Sequence, residues 1–113
     1  MQVFFSQEGS KLWARVRGEV DLKSADALRR ELEASLDHAR PRILCLDFGG
    51  VTFIDSTGLG VILGRYRRLA REGGKMVIYH PQPQVRRLLE ISGLARLVEI
   101  YPPEGEGCKA YGD

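Results

Sequence analysis

Phe53-Ile54-Asp55-Ser56-Thr57-Gly58-Leu59-Gly60-Val61-Ile62-Leu63-Gly64-Arg65-Tyr66 is the stretch from which the rest of the chain is read. It follows a wholly apolar run, Ile43-Leu44-Cys45-Leu46, and opens into helical periodicity. Leu59, Ile62, Leu63, Tyr66, Leu69 and Ala70 recur at the spacing of one helix face. Arg65, Arg67, Arg68 and Arg71 fall off that stripe, which predicts a wet, basic opposite side. Asp55 or Ser56 is the expected N-cap, because a short oxygen-bearing side chain accepts from the unpaired amides of a first turn. A hydroxyl is thereby set at the positive end of a helix dipole, where an added phosphate is best tolerated.

Upstream, Val3 to Gln7 is a short strand and Glu8-Gly9-Ser10 a turn signal. Lys11 to Val20 alternates, with Leu12, Ala14 and Val16 on one side and Lys11, Trp13, Arg15 and Arg17 on the other. That pattern predicts a half-buried strand, paired with the first in a hairpin. Trp13, on the polar side, is expected to cover the sheet rather than to form a contact surface. Gly18-Glu19-Val20-Asp21 leaves the strand, and Asp21 or Ser24 caps a helix whose buried stripe is Ala25, Leu28, Leu32, Leu36 and Ala39. Pro41 stops that helix. Arg42 to Phe48 is a strand buried on both faces, and Gly49-Gly50 is expected to release the chain into a loop that reaches Asp55.

Downstream, Gly73-Gly74 ends the Ser56 helix and Lys75 to Tyr79 is a strand. Pro81-Gln82-Pro83 starts a third helix carrying Val85, Leu88, Leu89 and Ile91, closed by Ser92-Gly93. Leu97 to Tyr101 is the last strand. This order predicts an α/β domain with a mixed, mainly parallel sheet of four to five strands, an antiparallel opening hairpin and three to four helices. Sites in such sheets gather at strand carboxyl ends, which is where Ser56 falls.

A chain of 113 residues is expected to form one domain, residues 1–113, with residues 102–113 as a flexible tail rich in Pro and Gly. The net charge of +2 is too small to argue for nucleic acid or membrane binding. Five basic residues between Ser56 and Lys75 oppose Glu72 alone; a solvated face is the plainer account, and a landing surface for an acidic partner or a nucleotide the sharper one. Cys45 sits in an apolar run and Cys108 in the tail, which suits a reducing setting better than a disulfide. No stretch is long and apolar enough to span a bilayer, and the expected location is the cytoplasm.

The chemistry is defined by what is missing. Gly-x-Ser-x-Gly is absent, so the strand–Ser–helix layout is not a nucleophile elbow. His38 and His80, the only histidines, have no sequence reason to approach Ser56. No metal-ligand spacing and no phosphate-binding Gly pattern precedes a helix, and no cofactor is implied. Asp47 lacks the acidic pair and lysine of a receiver domain. What remains is an acceptor hydroxyl without its own machinery, for which a partner kinase supplies metal, nucleotide and base. From the residues alone, plain capping is still the weightier account of Ser56.

Asp55 to Tyr66 closely resembles the signature of bacterial anti-sigma factor antagonists with the STAS fold, of the sporulation stage II AA type. The resemblance extends to Gly18-Glu19-Val20-Asp21, to Gly73-Gly74 with Met76-Val77, and to Val85, Arg87 and Leu88 with Ser92-Gly93-Leu94. It implies a regulator of transcription that is not an enzyme and works by partner switching. In such a cycle the unmodified antagonist binds an anti-sigma factor that is also a serine kinase, freeing the sigma factor. ATP-dependent phosphorylation then ends the complex, and a metal-dependent serine phosphatase restores it. The resemblance assigns the phosphate to Ser56, leaves Thr57 as a minor second acceptor, and places Asp21 beside the site. Asp21, Asp55, Ser56, Thr57, Gly58, Leu59, Gly60 and Gly64 are the implied partner-binding residues. Gly60 and Gly64 have two readings at this stage, contact with the partner and packing on the protein's own sheet. The alternative is an unphosphorylated STAS sensory or scaffold module that binds a nucleotide or small ligand.

Overall fold

The computed structural model describes residues 1–102. In chain order the elements are β1 (Gln2–Glu8), β2 (Lys11–Val20), α1 (Leu22–Ala39), β3 (Ile43–Ile54), α2 (Ser56–Arg71), β4 (Lys75–Tyr79), α3 (Pro83–Ile91), a single 3₁₀ turn (Leu94–Arg96) and β5 (Glu99–Tyr101). The sheet order is β1-β2-β3-β4-β5, with β1 antiparallel to β2 and every later pair parallel. Right-handed crossovers that always step the same way along a sheet deliver their helices to one face. The core follows from this. Leu12, Ala14, Val16, Leu44, Leu46, Phe48, Met76 and Ile78 alternate along the strands and meet Leu28, Leu32, Leu36, Ile62, Leu69, Val85 and Leu89 from the helices.

The other face is roofed by aromatics. Trp13, Cys45 and Val77 are in register on β2, β3 and β4, and the Trp13 and Tyr79 rings lie 4.8 Å apart. Tyr79 stacks in turn on Tyr101 at 5.7 Å. Trp13 therefore covers the sheet as expected, and burial pushes the Cys45 thiol above its ordinary range.

Several expectations are corrected. Gly49-Gly50 does not open a loop, since β3 continues through both glycines to Ile54. Register shifts against β2 absorb the pair, and the absent side chain of Gly50 leaves room for Arg17, whose Cγ would lie 2.9 Å from an added Cβ. Val51 and Ile54, both buried, hold this extension to the core. On α2 the buried stripe is Gly58, Val61, Ile62 and Leu69, rotated from the expected one, and Ala70 is exposed. Arg65 and Arg68 are not on a wet face, as their side chains are only 13% and 14% exposed. They lie against α1, where Arg65 Nε is 3.1 Å from Glu33 Oε2 as an ion pair without hydrogen-bond alignment. Arg68 reaches Asp37 at 2.7 Å and Glu33 at 3.2 Å. Packing of α2 across α1 explains the rotation. Ile91 is exposed, and the last strand is shorter than expected, Glu99–Tyr101, while the third helix starts within Pro81-Gln82-Pro83 as expected. At Pro102, the first residue of the expected tail, the carbonyl accepts from Arg86 Nη1 at 2.8 Å. The rest of the expected tail, residues 103–113 with Cys108, lies outside the described residues.

Candidate functional site

The site is built where two strands end together. Val20 of β2 and Ile54 of β3 are register partners, and each strand runs straight into a helix through a single aspartate. Asp21 caps α1: its Oδ1 accepts from Lys23 and Ser24 amides, both at 3.1 Å, while Ser24 Oγ accepts from Asp21 N–H at 3.0 Å. Such a reciprocal cap is worth about 1 kcal/mol. Asp55 caps α2 in the same extended conformation. Its backbone N–H donates to Val20 C=O at 3.2 Å, which locks the second cap onto the end of β2.

Asp55 does more than cap its own helix. Oδ1 accepts from Gly58 N–H at 3.0 Å and from Thr57 Oγ1 at 2.5 Å. Oδ2 accepts from Leu22 N–H, the first residue of α1, at 3.1 Å. One carboxylate thus ties together the amide-rich starts of both helices. These donors hold the Asp55 carboxyl below the ordinary carboxylate range, the Thr57 hydroxyl most and the Gly58 amide next.

Ser56 follows as the first residue of α2 and is exposed, and no described residue bonds its hydroxyl. Beyond it, Ser56, Gly60 and Gly64 recur every fourth residue, so they share one helix face. A Cβ added at Gly60 or Gly64 would meet nothing within 4 Å, so their bareness faces outward and does not serve the sheet. Gly58 is the opposite case. It is buried, and an added Cβ would lie 2.5 Å from Val20 O and 2.8 Å from Ile54 Cγ1. The structure therefore removes Gly58 from the exposed surface and makes it the seat of α2 on the strand ends. Leu59 is half-buried against the core.

Two residues that periodicity did not single out complete the surface. Leu22 is 74% exposed beside Asp55, and Phe53 is 46% exposed at the end of β3. Leu22 lies three residues before Ala25, so helix spacing files it with the core; only the open first turn turns it outward. His38 sits in the last turn of α1, at the far end of the sheet, and His80 neighbours Gly49 rather than Ser56. Among the described residues no cluster of His, Cys, Asp and Glu could hold a metal ion, and no helix is long and apolar enough to cross a membrane. The arrangement presents a hydroxyl but has no base directed at it.

Residues 7–107 match the STAS domain family. A relative from Paenibacillus polymyxa, an anti-sigma F factor antagonist, is 34% identical over 92% of this chain and 89% of its own. The chain belongs to the STAS-domain anti-sigma factor antagonists. Another member, the anti-sigma-B factor antagonist of Bacillus subtilis (strain 168), is 29% identical over 88% of this chain and 90% of its own. The fold is that of the antagonist SpoIIAA in its unphosphorylated form, with a TM-score of 0.77 at 23% identity over 99% of this chain and 98% of that one. Members of this family are regulatory binding proteins, not enzymes.

Proposed function

We propose that this chain is a phosphorylation-switched anti-sigma factor antagonist. Its unmodified form binds an anti-sigma factor that is also a serine kinase, and so releases a sigma factor. The kinase transfers phosphate from ATP to Ser56, which ends the complex, and a metal-dependent serine phosphatase resets it. The cycle runs in the cytoplasm, needs no resident cofactor, and involves neither direct nucleic acid contact nor a membrane.

The observation that carries this reading is the exposed Ser56 hydroxyl at the first position of α2, bonded by none of the described residues. Phosphorylation adds roughly −1.5 to −2 charge there, which the helix amides tolerate and a docked surface shaped for a neutral hydroxyl does not. The helix end is already braced by the Asp55 bonds to Leu22 and Gly58, so added charge changes the surface without a rearrangement of the core. Asp21, Asp55, Ser56, Thr57, Leu59, Gly60 and Gly64 form the partner surface, extended by Leu22 and Phe53; bare glycines let another backbone approach closely. Among the described residues, cavities of about 400 Å³ beside Phe4, Trp13 and Arg15, about 310 Å³ beside Phe5 and His38, and about 400 Å³ beside Arg86 and Tyr101 are lined by residues other than Ser56, which gives less support to the ligand-module alternative.

The test is a kinase assay. The chain is incubated with the anti-sigma kinase it retains on an affinity column and with labelled ATP, and the product is mapped by peptide fragmentation. We expect one phosphate, on Ser56, and loss of the complex as it accumulates. A complex that survives full modification of Ser56 refutes the switch.

A further inference from the structure

Two hydroxyls stand side by side at the start of α2, and the structure treats them differently. Ser56 Oγ is exposed and bonded by no described residue. Thr57 is equally exposed, yet its Oγ1 donates to Asp55 Oδ1 at 2.5 Å. That carboxylate is not free to swing away. Oδ1 also accepts from Gly58 N–H at 3.0 Å, and Oδ2 accepts from Leu22 N–H at 3.1 Å on the neighbouring helix.

We propose that Asp55 is a specificity-determining positioning residue, which confines phosphoryl transfer to Ser56 and withholds Thr57 from the kinase. The proposal rests on the partner-switch reading of this helix end. In the transfer, a hydroxyl oxygen forms the new P–O bond, the bond between the γ-phosphorus and the bridging oxygen of ATP breaks, and ADP leaves. The hydroxyl proton goes to the kinase's base. At Thr57 that proton is already directed at Asp55, away from any docked base. The Thr57 hydroxyl and the Gly58 amide hold the Asp55 carboxyl below the ordinary carboxylate range, so the proton stays on Thr57 Oγ1 and is shared with Asp55. Phosphate on Oγ1 would moreover stand beside a carboxylate that the Gly58 and Leu22 amides keep in place, and like charges at that separation repel. At Ser56 the first obstacle is absent, since no described residue bonds the hydroxyl, and the helix amides favour the product's charge.

The sequence alone left Thr57 open as a second acceptor; the Asp55 bond closes it. Asp55→Asn removes the negative charge but keeps a side chain able to cap α2. Thr57→Ser keeps Asp55 and the hydroxyl, and removes any preference a serine kinase has against threonine.

Wild type, Ser56→Ala, Asp55→Asn, the Asp55→Asn/Ser56→Ala double variant and Thr57→Ser are each incubated with the anti-sigma kinase and ATP. Fragmentation mass spectrometry locates the phosphate, and circular dichroism checks the fold. We expect wild type and Thr57→Ser to carry phosphate on Ser56 alone, and Ser56→Ala to carry none. We expect phosphate at position 57 to appear in Asp55→Asn at ten-fold or more above the detection limit that wild type does not reach, and to persist in the double variant. Phosphate at position 57 in Thr57→Ser or in wild type overturns the inference while leaving the switch itself intact. So does an Asp55→Asn chain modified on Ser56 only, with an unmodified double variant. A wild-type chain that takes no phosphate overturns both.

Discussion

The two halves of α2 are built on opposite plans. The first half, from Ser56 to Gly64, shows the solvent an exposed hydroxyl and two glycines with open space where side chains would stand. The second half is clamped: Arg65 and Arg68 lie nearly buried against Glu33 and Asp37 of α1, and Leu69 is in the core. The contrast explains how a surface can change charge without changing shape. A switch that works by repulsion needs a helix held elsewhere, so that the partner leaves and the helix stays.

If the first half is a contact surface and nothing more, Ser56→Asp should abolish function there and spare stability. We expect affinity for the anti-sigma kinase to fall roughly 100-fold, as like charges across an interface cost several kcal/mol, with an unchanged melting temperature. Titration calorimetry alongside thermal melting checks this, and equal affinity with wild type ends the charge-exclusion account.

The two kinds of glycine test the same division within one helix. Gly58→Ala places a Cβ against Val20 O, a rigid backbone atom, and should cost about 1–3 kcal/mol. Gly60→Ala meets nothing and should stabilise by about 0.5–1 kcal/mol through helix propensity alone. Denaturant midpoints of the two variants should therefore move in opposite directions; a shared direction shows that α2 is seated otherwise.

For the clamped half, Arg68→Ala removes pairs with Asp37, Glu33 and Glu72. Arg68 is nearly buried while Asp37 and Glu72 are exposed, so a loss of about 1–2 kcal/mol is expected, between the surface and buried cases. Kinase affinity should not change, because these groups are on the α1 side of the helix.

The smallest effect is on pH dependence. The folded Asp55 carboxyl is held below its unfolded value, so its contribution to stability is present above about pH 4 and is lost as pH falls through the lower folded value. Acid titration followed by circular dichroism should show this loss in wild type and its absence in Asp55→Asn.

Much of this was legible in the residues, because the signals are local. Alternation over Lys11 to Val20, a cap at Asp21 or Ser24 and at Asp55 or Ser56, and the Gly73-Gly74 stop each depend on neighbours within a few positions, and the structure has each, with the aspartate as the cap in both helices. Where reading failed, the deciding contact came from far along the chain. Gly49-Gly50 looked like a loop because two glycines weaken a strand, yet Gly50 pairs with Arg17 of β2 and Val51 with Gly18, and the strand runs on. Arg65 and Arg68 looked solvated because charge normally is; Glu33 and Asp37, some thirty residues earlier, draw them onto α1.

The sequence by itself determined which elements form, in what order, and which hydroxyl heads the second helix, since caps, periodicity and turn residues act over single turns. Only the tertiary structure decided which glycine is packed and which is bare, which arginines are drawn onto α1, and which of two adjacent hydroxyls is already occupied. Those outcomes depend on the register of Val20 beside Ile54, which brings two helix starts within reach of one carboxylate, and no local signal encodes that distance.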